Sequence, residues 1–137
     1  MSVDGAHPVQ ARGRPLTCLI VDDSTAFLSA ARHLLEREGI VVMGGVSNPD
    51  EAVARVRDLE PDVALVDIDL NGASGFDVVE GIAALGEHAP PVILVSAYAA
   101  TDYAELVEES GAVGFISKTA LSAAAIAELL GAADEEG

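Results

Sequence analysis

Lysine occurs once among these 137 residues, cysteine once and tryptophan not at all. A single cysteine, Cys18, excludes an internal disulfide and fits the cytoplasm. Inside an apolar run it reads as a small buried hydrophobe. Long hydrophobic runs are also missing, and none approaches the roughly 20 residues that span a bilayer. Residues 1–15 carry two arginines but no apolar stretch, so they do not read as a signal peptide. Positive charge is scarce, and unevenly so. Residues 1–57 hold six arginines against seven acids, whereas residues 58–137 hold Lys118 alone against sixteen. The formal net charge is −16. Such a surface repels phosphate backbones and argues against direct nucleic-acid binding.

What is present is a core. Half the residues are hydrophobic, in a chain of single-domain length. Five apolar runs read as strands: Leu16–Val21, Ile40–Val46, Asp62–Val66, Val92–Val95 and Val113–Ser117. Helices fit between and after them. Ser24 caps a helix to about Glu38, with Phe27, Ala31, Leu34 and Leu35 on one face. Asn48-Pro49-Asp50-Glu51 starts a second, to about Leu59. After a loop at Leu70–Gly75, a third covers Phe76–Leu85 and turns Val78, Val79 and Ile82 inward. A fourth covers roughly Asp102–Ser110. Ser122 caps a last, Ala-rich helix to about Ala133. Residues 1–15 read as a disordered tail, 16–133 as one domain and 134–137 as a solvated acidic tail. Strand-helix alternation with crossover-length connections predicts a doubly wound α/β fold, its parallel sheet covered on both faces.

The runs end in chemistry. Leu19-Ile20-Val21 leads to Asp22-Asp23, Val63-Ala64-Leu65-Val66 to Asp67, Val92-Ile93-Leu94-Val95 to Ser96, and the last run to Lys118. In an open parallel sheet the carboxyl ends of the strands line one crevice, where ligands bind. Three carboxylates there repel one another, and at least one pKa should rise. Lys118 offsets one charge, and a divalent cation would offset the rest. An all-oxygen site suits magnesium, or manganese in its place. No His or Cys stands near these strand ends, which argues against zinc. Asp67 is then a candidate nucleophile toward phosphorus. Lys118, Ser96 and the loop amides after Asp67 are positioned to stabilise phosphoryl oxygens.

The ordered set Val21-Asp22-Asp23, Leu65-Val66-Asp67-Ile68-Asp69-Leu70, Gly75-Phe76-Asp77-Val78, Val95-Ser96-Ala97 and Phe115-Ile116-Ser117-Lys118 resembles the receiver (CheY-like) domain of two-component response regulators. The resemblance covers about Leu16 to Leu130. It implies a flavodoxin-like (βα)5 three-layer sandwich with strand order 2-1-3-4-5. It implies that Asp67 accepts a phosphoryl group from a phosphohistidine on a sensor histidine kinase or phosphotransfer protein. Asp23, Asp67 and the Asp69 backbone carbonyl would ligate magnesium, with Asp22 acting through water. Lys118, Ser96 and Ala97 would hold the phosphoryl group. Ser96 and Phe115 would form the conformational switch, and Asp69 and Tyr98 would tune hydrolysis. The pattern departs at Asn71 and Thr119, where many receivers have proline. Gly-Phe-Ile-Ser-Lys-Thr-Ala resembles receivers that precede LuxR-type helix-turn-helix domains. No output domain follows in this sequence, so the expected downstream element is a separate protein or a missing output domain.

Three rival readings are weaker. Asp67-Ile68-Asp69-Leu70-Asn71 resembles the start of haloacid-dehalogenase-type phosphatases, but in those the acidic pair comes last in the chain, whereas here it comes first. A flavodoxin-like cofactor binder needs a hydroxyl-rich loop after the first strand, where Asp22-Asp23 would repel a phosphate. A phosphorylation-independent interaction module would not need the intact residue set. The expectation is a phosphoacceptor signalling domain rather than a turnover enzyme.

Overall fold

The computed structural model describes residues 15–70, 72–97 and 104–136. Residues 1–14, Asn71, Tyr98, the predicted start of helix four at 102–103 and Gly137 lie outside them. The strands are β1 (Thr17–Val21), β2 (Val41–Val46), β3 (Val63–Asp67), β4 (Asp69–Leu70), β5 (Ala73–Ser74), β6 (Val92–Ser96) and β7 (Gly114–Ser117). The helices are α1 (Thr25–Arg37), α2 (Pro49–Leu59), α3 (Gly75–Ala83), α4 (Ala104–Ser110) and α5 (Ala123–Glu136). Five strands form one parallel sheet in the order β2-β1-β3-β6-β7. Counting only those five, this is the expected 2-1-3-4-5 order.

Alternation along each strand sorts the core into two layers. Cys18 and Ile20 of β1 point to one face, where Ala31 and Leu35 of α1 and Ile126 of α5 cover them. Leu19 and Val21 point to the other, against Ala52 and Val56 of α2, Val78, Val79 and Ile82 of α3, and Val107 of α4. Both faces are covered, which is why the central strands read as unbroken apolar runs rather than alternating ones. Polar contacts pin the ends. Thr17 and Asp62 exchange hydrogen bonds at the starts of β1 and β3. The Glu38 carboxylate accepts from the Ala123 amide at 2.7 Å and ties the end of α1 to the start of α5.

The helix starts follow their capping residues. Ser24 accepts from the Phe27 amide, Asn48 from Glu51 and Ser122 from Ala125, each satisfying an amide that the first turn leaves unpaired. Three expectations need correction. Leu70–Gly75 is not a plain loop, because β4 and β5 pair antiparallel within it. Two-residue strands are too short for any periodicity to reveal. The third helix begins at Gly75, ends at Ala83 and is followed by a 3-10 turn at Gly86–His88. The last helix runs on to Glu136, three residues past the expected end at Ala133. No proline or glycine after Gly131 interrupts it before Gly137.

Cys18 is wholly buried in β1. Burial, aided by Glu36 and opposed by Arg32, pushes its thiol up to about 12. At pH 8 the native protein should therefore react with a thiol reagent at least a thousandfold more slowly than the urea-unfolded chain. Equal rates in the two states would show that the first strand is not buried as described.

Candidate functional site

The carboxyl ends of β1, β3, β6 and β7 bring Asp22, Asp67, Ser96 and Lys118 to one edge of the sheet. Asp22 is 0 %, Ser96 1 % and Asp67 5 % exposed, while Asp23 next to them faces solvent. Buried carboxylates need partners. Asp22 Oδ1 accepts from the Ser24 amide at 2.8 Å, the same Ser24 that caps α1. Asp22 Oδ2 lies 2.7 Å from Lys118 Nζ, a close ion pair. Asp67 Oδ1 accepts from the Asp69 amide at 3.2 Å, and Oδ2 from Lys118 Nζ at 3.3 Å. One ammonium thus serves two carboxylates, each from a different strand end.

The charges set the pKa values. Burial, and then the Asp22 charge, push the Asp67 carboxyl up to about 6, against the Asp69 amide and Lys118, which hold it down. Burial disfavours the Lys118 ammonium, but Asp22 and Asp67 outweigh it and raise its pKa. The expected rise in a carboxylate pKa is found at Asp67, with burial its first cause and the Asp22 charge its second. One oxygen each of Asp22, Asp23 and Asp67 lie within 4.8 Å of one another. Three carboxylates this close, with one ammonium among them, form an all-oxygen cluster that fits a hard divalent cation.

Of the other expected residues, Asp69 reaches the site through its amide. Ala97 follows Ser96 at the surface. Phe115, on the edge strand β7, is half-buried and packs on the α3–α4 side of the core. It also lines a cavity of about 280 Å³ with Leu129 and Glu128. Tyr98 lies outside the described residues. Two residues were not singled out as site residues by sequence alone. Gly75 packs so close to β3 that a Cβ there would overlap the Asp67 carbonyl oxygen and stand 2.9 Å from Ile68 Cα. Phe27, expected only as part of the apolar face of α1, places its ring centroid 4.4 Å from Lys118 Nζ. The signal for Gly75 was its place in the Gly-Phe-Asp segment, but nothing in the sequence pairs Phe27 with Lys118.

The comparisons agree with this geometry. Residues 18–130 match the model of the response regulator receiver domain. The DNA-binding transcriptional activator EvgA of Escherichia coli is 31 % identical over 103 residues, which are 75 % of this chain and 50 % of that protein. The chain thus spans about half the length of such relatives. Among solved structures, a CheY-like receiver domain protein from Methanospirillum hungatei superposes with a TM-score of 0.72 at 28 % identity, covering 89 % of this chain and 98 % of that one. A LuxR-family two-component response regulator from Aurantimonas superposes with a TM-score of 0.68 at 25 % identity, covering 74 % and 73 %. With strand order, acidic cluster and sequence match all in accord, the chain belongs to the response regulator receiver domain family.

Proposed function

We propose that this chain accepts one phosphoryl group on Asp67 in a reaction that requires Mg2+, or Mn2+ in its place, and passes the change of state to a partner. The observation that carries this reading is the shared ammonium: Lys118 Nζ stands 2.7 Å from Asp22 and 3.3 Å from a buried Asp67. A carboxylate oxygen of Asp67 would form a bond to phosphorus as the bond from phosphorus to the donor's leaving atom breaks, which yields an acyl phosphate. Lys118 would move from Asp67 to the new phosphoryl oxygens while keeping Asp22. Ser96 and the Ala97 amide would donate to those oxygens. Asp22, Asp23, Asp67 and the Asp69 carbonyl would hold the cation. Bound there, it would neutralise carboxylate charge and draw the phosphoryl oxygens toward Asp67.

The donor would be a phosphohistidine on a sensor kinase or phosphotransfer protein in the cytoplasm, and the recipient of the signal a downstream protein or an output domain. Ser96 and Phe115 would be the moving parts. Phe115 has no hydroxyl, so its inward state gains packing but no hydrogen bond. Asp69 and Tyr98 would tune hydrolysis of the acyl phosphate. Transfer and slow self-hydrolysis are the only chemistry proposed, and no turnover of a separate substrate.

Intact mass after incubation with acetyl phosphate tests this. One phosphoryl increment is expected with Mg2+ and none after chelation. Multiple turnover of p-nitrophenyl phosphate would instead indicate a phosphatase. Neither uptake nor Mg2+ binding would indicate a phosphorylation-independent interaction module.

A further inference from the structure

The aromatic ring over Lys118 is a feature the receiver chemistry does not require. Phe27 sits in the first turn of α1 and is half-buried. Its ring centroid is 4.4 Å from Lys118 Nζ, within cation–π range. Its placement is built from the site itself. Asp22 Oδ1 accepts from the Ser24 amide at 2.8 Å. Ser24 Oγ accepts from the Phe27 amide at 3.2 Å. The Phe27 ring meets Lys118, and Lys118 Nζ returns to Asp22 Oδ2 at 2.7 Å. The four residues form a closed circuit in which the helix cap, the ring, the ammonium and the carboxylate locate one another.

A ring does something here that a fourth acid could not. Three carboxylates already crowd the site. Another would neutralise Lys118 and repel an incoming phosphoryl group. The face of a benzene ring attracts the ammonium through its quadrupole, which carries no net charge and acts only at short range. The positive charge stays available to a phosphoryl group, while the ring restrains its position. The Lys118 side chain retains 18 % exposure, so the contact is partly desolvated.

We infer that Phe27 is a positioning residue: its ring holds the Lys118 ammonium poised for the phosphoryl oxygens, and so lowers the phosphodonor concentration needed to load Asp67. The inference rests on the phosphoacceptor reading above.

Lys118 is the only lysine, so its side-chain resonances can be observed without ambiguity. In the wild-type protein, ring current should move the Lys118 Hε resonance upfield of its ordinary position, and Phe27→Leu should return it. With Mg2+ present, Phe27→Leu should raise the acetyl phosphate concentration for half-maximal loading by about three- to tenfold. Phe27→Tyr should stay within about twofold of wild type. Fluorinated phenylalanines placed at position 27 keep the shape and weaken the face of the ring, so half-loading should rise with each added fluorine. An ordinary Lys118 Hε shift in the wild type would overturn the inference. So would wild-type loading of Phe27→Leu, or a fluorine series without trend. If the wild-type protein itself takes up no phosphoryl group, the phosphoacceptor reading falls, and the role of Phe27 in loading falls with it.

Discussion

Asp67→Asn is expected to abolish phosphoryl uptake from acetyl phosphate and, without metal at pH 8, to make the protein more stable than wild type. The first effect follows from chemistry: a carboxamide oxygen is too weak a nucleophile toward phosphorus. The second follows from burial. The Asp67 carboxyl is pushed from 3.8 to about 6 by desolvation and by Asp22. A folded-state pKa above the unfolded one means that the native protein binds this proton more tightly. The resulting stability is present below about pH 4 and is lost as pH rises through about 6. The difference corresponds to roughly 2–3 kcal/mol. Asparagine does not titrate and escapes the penalty. Thermal unfolding should show the two proteins alike near pH 4, with the variant ahead by roughly 5–10 °C at pH 8. Added Mg2+ should stabilise the wild type and narrow the gap. Phosphoryl uptake by the variant, or a stability difference that ignores pH, would refute the assignment of Asp67.

Gly75→Ala is expected to be the most damaging single-methyl change among the glycines of the site. Gly75 opens α3, and its amide donates to the Ile68 carbonyl at 2.8 Å. An alanine Cβ would run into the carbonyl oxygen of Asp67 and the backbone of Ile68. Backbone atoms cannot swing aside as side chains do, so α3 or the end of β3 must shift. Overpacking of this kind costs about 3 kcal/mol, or roughly 10 °C in Tm. The segment that yields carries Asp67, so loading should slow by about a hundredfold even where the protein stays folded. Gly131→Ala is the control. It lies in α5 with nothing within 4 Å of the new methyl. It should be neutral or stabilising by about 0.5–1 kcal/mol. Urea melts and loading rates of the two variants decide the matter. Equal behaviour would mean that the close approach of α3 to β3 does not constrain the site.

Both predictions depend on contacts between segments far apart in the sequence, and that separates what was legible from what was not. The apolar runs, the caps at Ser24, Asn48 and Ser122, and the acids, hydroxyl and lysine at strand ends are local patterns. Periodicity and capping chemistry determine them before any packing occurs, so the fold class and the membership of the crevice could be read directly. Asp22, Asp67, Ser96 and Lys118 come together because a parallel sheet puts every strand's carboxyl end on the same side. Other features had no local signature. The β4–β5 hairpin is shorter than any period. The course of α5 past Ala133 depends on the absence of a breaker rather than on a signal. Tertiary packing alone decided that burial raises the Asp67 carboxyl, that a methyl at Gly75 meets the Asp67 carbonyl, and that Phe27 caps Lys118 from 91 positions away. Composition and order determined which groups line the crevice. Distances and desolvation, which exist only once both faces of the sheet are covered, decided how each of them is charged and held.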